Sequence, residues 1–109
     1  MKHPAIIKPA EHAEWRADKM GKSTIYESPR LLVGLNGFEP GQCARRCMRT
    51  LAWTRCITCS TAKASSLLAD SELPMRAGDL LMAPEGVPHG VKNTGPGRLL
   101  VLAVLAPSP

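Results

Sequence analysis

Glycine and proline interrupt this chain every few residues outside the segment 43–66, and the apolar runs between them are short. The 109 residues include 9 Gly and 10 Pro. The clearest runs are "RLLVGLNGF", "LLMA" and "RLLVLAVLA", with turn sequences such as "EPGQ" and "NTGPG" between them. Short runs at a spacing of roughly ten residues are typical of an all-β sandwich or barrel. The sequence therefore predicts an all-β fold of short strands.

The length and composition predict one domain with an extension at its N-terminal end. Residues 1–22 are polar and mixed, and we expect them to form an irregular or partly helical arm, followed by a β domain over 23–109. A chain of 109 residues buries one core but is too short for two. The sequence has no run of 18 apolar residues and no secretory leader pattern, so we expect a cytoplasmic protein with no membrane partner.

The segment from Cys43 to Ser66 differs in composition from the rest of the chain. It contains no acidic residue and no Gly or Pro, whereas the nine basic residues outside it are balanced by nine acidic ones. The net charge of +5 therefore reflects this segment alone. It contains five basic residues and all four cysteines of the chain: Arg45, Arg46, Arg49, Arg55 and Lys63, and Cys43, Cys47, Cys56 and Cys59.

A second distinctive stretch reads G-x5-P-x-G-x2-H-x3-N, with fixed residues at Gly78, Pro84, Gly86, His89 and Asn93. The turn at residues 77–78 leads into an apolar run, 80–83, that we expect to be buried, and the proline and second glycine then bend the chain. His89 falls on the following strand, where side-chain alternation directs its ring towards a barrel interior. An imidazole in an apolar interior needs a partner for its nitrogens, and a metal ion supplies one.

This stretch resembles the second motif of the cupin superfamily at all five positions, and the flanking strand patterns extend the resemblance over most of the chain. The resemblance implies a small antiparallel β-barrel of the RmlC-like jelly-roll type that commonly forms homodimers. It also implies that His89 is a metal ligand, together with two histidines and a carboxylate from a first motif, and that the barrel holds Fe, Mn, Ni or Zn and a small molecule. Cupins include dioxygenases, isomerases, decarboxylases and non-enzymatic binding domains, so the resemblance does not select a reaction.

The first cupin motif, G-x5-H-x-H-x3-4-E-x6-G, should begin at Gly41, and it is missing from the sequence. Cys47 and Arg49 occupy the positions expected for the two histidines, and Trp53 or Thr54 occupies the position of the carboxylate. One imidazole does not hold a divalent ion, because stable sites use three or four protein ligands. The sequence thus predicts a cupin that has lost most of its metal site.

A reading frame shifted back by one base would explain why the first motif is missing. Trp53 is TGG and Thr54 begins with AC, so the shifted codon across them is GAC, which encodes aspartate. From Arg46 to Ala62, the shifted frame permits M-H-A-H-A-G-M-D-K-V-Y-Y-V-L-D-G. This string resembles the first cupin motif: it has H-x-H at the right distance from Gly41, then an acid, a strand pattern and a closing glycine. Our hypothesis is that two compensating frameshifts or base-calling errors enclose residues 43–66.

Each of these sequence features also has a simpler interpretation. His89 is alternatively a histidine satisfied by the backbone, and the pattern C-x3-C-x8-C-x2-C is alternatively a zinc site with short spacing, with Cys47 as a possible thiolate ligand. The arginines are alternatively a nucleic-acid patch, but Trp53 is the one aromatic residue among them, which disfavours nucleic acid as a partner. For the whole protein, three functions remain open: a metal-binding or small-molecule-binding cupin, a metal-dependent enzyme such as a dioxygenase, and a metal-free structural or sensory barrel.

Overall fold

Strands account for most of the regular structure in the computed structural model, which describes residues 6–44, 63–68, 71–83 and 87–108, and the backbone of 52–58. A short 3₁₀ helix at Pro9–His12 precedes eight strands. Among the described residues, no helix has the length and apolar character needed to cross a membrane. The predicted all-β class is confirmed. The strands are β1 (Gly21–Ser28), β2 (Leu31–Phe38), β3 (Ala52–Thr58), β4 (Lys63–Leu68), β5 (Ser71–Arg76), β6 (Leu80–Ala83), β7 (His89–Asn93) and β8 (Leu99–Leu105).

The strands form two antiparallel sheets that pack face to face. The larger sheet has the order β1-β2-β8-β3-β6, and the smaller sheet has the order β5-β4-β7. The chain leaves the larger sheet after Phe38, and Cys43 forms a bridge with Lys92 at the free edge of β7. Within the described ranges no ladder of strand pairs joins the two sheets, so over these ranges the sheets face each other without closing into a barrel.

The core follows from strict alternation along the paired strands. Phe38 is the register partner of Leu99, and Val101 lies two residues further along the same face of β8. These three side chains are fully buried and pack against Ala64 and Val91 of the smaller sheet. Because side chains alternate between the two faces of a strand, the even-numbered residues of β2 and the odd-numbered residues of β8 face the interior.

The N-terminal arm covers part of the outer face of the larger sheet. Gly21 and Gly37 are register partners there, and a Cβ atom at either position would collide with the carbonyl group of Glu14. The ring of Trp15 also lies against Gly37, and the guanidinium of Arg98 lies 4.9 Å from the centroid of that ring. Because neither glycine has a side chain, the arm packs directly against the backbone of β1 and β2. Hydrophobic periodicity alone does not predict this contact.

The predicted turns at 39–42 and 77–78 are present, whereas the predicted bend at Pro84 and Gly86 lies outside the described residues. One predicted burial is half wrong. Gly78 has φ of 90°, a value that favours glycine, and leads into β6 after the turn. We expected the whole run 80–83 to be buried, but Leu80 is 52 % exposed and Met82 is 49 % exposed. Leu81 and Ala83 are the buried residues of the run. The difference arises from alternation, because Leu81 and Ala83 face the smaller sheet while Leu80 and Met82 lie on the outer face of the larger sheet.

Candidate functional site at His89

His89 lies on the inner face of the smaller sheet. It is the first residue of β7 and the register partner of Leu68 on β4. Val91 and Asn93 follow on the same face of the strand, and both are buried. The side chain of His89 is largely buried too, at 9 % exposure. The imidazole therefore belongs to the space between the two sheets.

One ring nitrogen of His89 is occupied by the backbone. Its Nδ1 lies 2.9 Å from the carbonyl oxygen of Val87. A carbonyl oxygen only accepts hydrogen bonds, so this contact places the proton of the neutral ring on Nδ1. Nε2 then carries a lone pair that it can offer to a hydrogen-bond donor or a metal ion. The backbone therefore satisfies Nδ1 and leaves Nε2 available to a ligand.

The described residues do not fit a divalent metal ion at this site. Among them, no three His, Cys, Asp or Glu side chains group in a way that would hold a metal. Metal sites of this kind need three or four protein ligands, and His89 supplies one. Cys43 is exposed, and its Sγ lies 3.4 Å from the carbonyl oxygen of Ala44. The candidate positions of the first motif, at 47 and 49 and the side chains of 53 and 54, lie outside the described residues, as do the side chains at 56 and 59.

The chain approaches His89 along the edge of β7 before it reaches those positions. The backbone N–H of Ala44 donates to the carbonyl of Val91 at 2.8 Å, and the N–H of Asn93 donates to the carbonyl of Gln42 at 2.9 Å. This pairing starts next to Gly41, where the first motif was expected to begin. Ala44 therefore lies beside Val91, two residues along β7 from His89.

Asn93, the last fixed residue of the second motif, has a structural role. It is 1 % exposed, and its Nδ2 donates to the carbonyls of Phe38 at 3.1 Å and Gly97 at 2.8 Å. Its Oδ1 accepts from the N–H of Gly95 at 3.0 Å. All three bonds are internal, so this side chain joins the end of β2 to the turn after β7 and offers nothing to a ligand.

Among the described residues, small or exposed side chains occupy the inner faces at the end of the sheets near His89. A Cβ atom built on Gly34 has only one described neighbour within 4 Å, the carbonyl oxygen of Ser23 at 3.2 Å. The register partner of Gly34 on β8 is Ala103, another small residue. Across the interior, Leu73 shares a face of β5 with the buried Met75, yet it is 54 % exposed. At this end of the sheets the described inner faces therefore carry small or solvent-exposed side chains in place of the packed core around Phe38.

Asn36 is a polar residue of the inner face that the motif does not include. It is the register partner of Val101, so it lies on the inner face of the larger sheet between Gly34 and Phe38. Its side chain is half-buried and makes no hydrogen bond with another described residue. Alternation along "LLVGLNGF" already places this asparagine on the face of the core phenylalanine, and that is the signal that would have identified it.

The comparisons with known proteins agree with this architecture. No family model and no curated protein matches the sequence. Among solved structures, the TT1209 protein of Thermus thermophilus is 26 % identical, with a TM-score of 0.84 over 95 % of this chain and 98 % of that one. An uncharacterized conserved protein with a double-stranded β-helix domain from Klebsiella pneumoniae is 22 % identical, with a TM-score of 0.86 over 96 % and 91 % of the two chains. An RmlC-like cupin protein from Desulfovibrio desulfuricans is 19 % identical, with a TM-score of 0.82 over 96 % and 98 %.

These similarities define the class of the protein. The chain is an all-β protein with two facing antiparallel sheets, and nearly its whole length superposes on double-stranded β-helix proteins. It has the cupin fold, as the second motif predicted.

Proposed function

We propose that the protein binds a small organic molecule between its two sheets, with His89 as a polar contact. The observation that carries this proposal is a largely buried imidazole whose Nδ1 is held by the carbonyl of Val87 and whose Nε2 has no hydrogen bond to another described residue. A concave, mostly apolar space with one placed polar group is the usual form of a small-molecule site. The fold itself does not select a reaction, so the proposal concerns binding.

Replacement of His89 with leucine tests the proposal. Fragments from a screen monitored by protein-detected NMR should shift the amide signals of His89 and Val91. Against His89→Leu, the affinity of such fragments should fall about tenfold, because a hydrogen bond to a buried group is lost. Lys92→Leu is the matched control, since Lys92 lies on the outer face of the same strand and is exposed. Fragments that bind His89→Leu as tightly as the unchanged chain would contradict the proposal.

A second candidate function is metal-dependent catalysis, such as a dioxygenase reaction, by a chain whose first motif is intact. The observation that favours it is the complete second motif beside a frame that permits H-x-H and an aspartate. A bound Fe, Mn, Ni or Zn ion would supply Lewis-acid or redox chemistry. Of the described residues, His89 alone would hold it, through Nε2. A metal-free structural or sensory barrel is the remaining alternative, and it requires that neither a metal ion nor a small molecule binds.

The gene itself provides a direct test of the frame hypothesis. We expect independent sequencing of the DNA across residues 40–70 to reveal an inserted base near one end of the segment 43–66 and a deleted base near the other, so that the shifted frame is read between them. The residues outside the segment should be unchanged. Independent reads that encode the printed residues in frame would rule out a base-calling error. Purified protein whose peptide masses match the printed residues would show that the altered segment is also translated.

A further inference from the structure

We infer that the outer edge of β1 is an interface with a second copy of this chain, in which the two β1 strands pair antiparallel about a two-fold axis. In this pairing, Lys22 of each copy lies opposite Glu27 of the other. The larger sheet then continues from one copy into the next, and the product is a homodimer. The inference concerns the edge of the larger sheet and is independent of the function proposed for His89.

β1 has one edge that pairs with none of the described residues. It is the first strand in the order β1-β2-β8-β3-β6, so β2 lies on one side of it only. Within the described ranges, the eight residues Gly21–Ser28 form backbone pairs with β2 and with no other segment. In an antiparallel ladder, alternate residues direct N–H and C=O away from the neighbouring strand. The outer edge of β1 therefore presents donors and acceptors to which a further strand can bond.

The edges of the smaller sheet, in contrast, are closed by the chain itself. The segment 41–44 runs along β7 and exchanges backbone hydrogen bonds with it. On β5, the N–H of Arg76 donates to Oδ2 of Asp79 at 2.9 Å, and the carbonyl of Arg76 accepts from the N–H of Asp79 at 3.0 Å. Pro74 lies two residues earlier, where its backbone faces the same side, and it has no N–H to offer. Because β6 has only four residues, β1 is the longest open edge of the described chain.

The charged side chains of β1 have opposite signs near its two ends. Lys22 is the register partner of Asn36, and Glu27 is that of Leu32, so both charges lie on the inner face of the larger sheet. A register shift between them keeps them on one face, because it adds one residue to β1. Both side chains are exposed, and neither forms an ion pair with another described residue. Each charge is therefore free to pair with a strand that docks at this edge.

Antiparallel pairing of β1 with its own copy brings these opposite charges together. Without the extra residue of the register shift, Lys22 and Glu27 lie two positions on either side of Thr24. When Thr24 lies on the two-fold axis, Lys22 of each copy is opposite Glu27 of the other. Opposite charges that face each other across antiparallel strands stabilise the pair, and like charges destabilise it. A parallel arrangement would instead place Lys22 beside Lys22 and Glu27 beside Glu27.

The same charges select against other strands at this edge. Native proteins commonly protect edge strands with charged side chains that point inwards, and Lys22 and Glu27 have such positions. A strand pairs here favourably only if it carries an acid and a base at the same separation and in reverse order. A second copy of β1 meets this requirement by symmetry. The residues before Ile6 are "MKHPA", with no acid and one proline, so they do not supply the pattern.

Reversal of the two charges tests the interface by sedimentation velocity at low ionic strength. The unchanged chain should have twice the mass of one copy at micromolar concentration. Lys22→Glu should raise the dissociation constant of the dimer by at least about tenfold, because two attractive pairs become repulsive. Glu27→Lys should have the same effect for the same reason. The double variant Lys22→Glu with Glu27→Lys restores both pairs in the opposite order, and we expect it to restore the dimer.

Two further measurements separate this interface from an effect of net charge. The variant Lys22→Glu has two acids on the edge, and Glu27→Lys has two bases. An equimolar mixture of the two should form a heterodimer more tightly than either variant forms a homodimer. Lys92→Glu and Glu72→Lys make the same changes in net charge at exposed positions of the smaller sheet. We expect both control variants to dimerise like the unchanged chain.

The inference is overturned if the unchanged chain sediments as a single copy up to the limit of its solubility. A dimer that survives both single charge reversals uses another surface, and this result also overturns the inference. Loss of the dimer in the single variants, without recovery in the double variant or in the mixture, would contradict the antiparallel register. The amide spectrum of each variant shows whether it is folded. Recovery in the mixture shows the same for the two single variants.

Discussion

A chain in which the shifted-frame string M-H-A-H-A-G-M-D-K-V-Y-Y-V-L-D-G replaces residues 46–61 is expected to retain one divalent ion of Fe, Mn, Ni or Zn after dialysis. The printed chain is expected to retain far less. The string adds two imidazoles and a carboxylate to the Nε2 of His89, which raises the number of ligands from one to four. Because stable sites need three or four ligands, the affinity should increase by a factor on the order of a thousand or more. Elemental analysis of the purified protein gives the metal content.

Two further variants assign the metal to the proposed site. His89→Leu in the substituted chain should remove most of the metal, because it takes away the one ligand that the described structure already places in the interior. The smaller change Cys47→His with Arg49→His and Trp53→Asp, in the otherwise printed chain, tests whether the ligands alone are sufficient. A substituted chain that folds but holds no metal, or holds it equally well after His89→Leu, would refute the shared site. A metal-free result for both chains would favour the structural or sensory alternative.

The fold was largely predictable because its signals are local. Gly78 marks a turn by a backbone angle that glycine prefers, and alternation in "RLLVGLNGF" identifies the strand that ends at Phe38. The spacing of the second motif placed His89 one strand beyond the bend. Each of these signals acts over a few residues, so one sequence suffices to read it.

The remaining features depend on contacts between distant segments. The burial of Leu35 on the outer face of β2 was not predictable, since residues about twenty positions earlier cover this side of the sheet. Leu80 is exposed because it lies on the outer face of β6, and a run of four apolar residues does not show which of its two faces will be covered.

Asn93→Leu is expected to lower the free energy of unfolding by about 3 to 5 kcal/mol, the largest loss from any single polar side chain of the described core. The substitution removes two donors and one acceptor and leaves the carbonyls of Phe38 and Gly97 and the N–H of Gly95 without those partners. Each buried group that loses its partner costs about 1 to 3 kcal/mol, and some relaxation of the turn recovers part of the sum. Urea unfolding followed by circular dichroism measures the change.

Asn93→Asp distinguishes hydrogen bonding from packing, because it preserves the shape of the side chain. A carboxylate can still accept from the N–H of Gly95, but it cannot donate, and it would face the carbonyl oxygens of Phe38 and Gly97 at 3.1 and 2.8 Å. We therefore expect Asn93→Asp to be destabilised by at least as much as Asn93→Leu at neutral pH. Lys92→Ala, on the exposed face of the same strand, should change stability by less than about 0.5 kcal/mol. If Asn93→Asp were as stable as the unchanged chain, the donated bonds would not hold β2 to the turn after β7, and the fixed asparagine of the motif would need a different explanation.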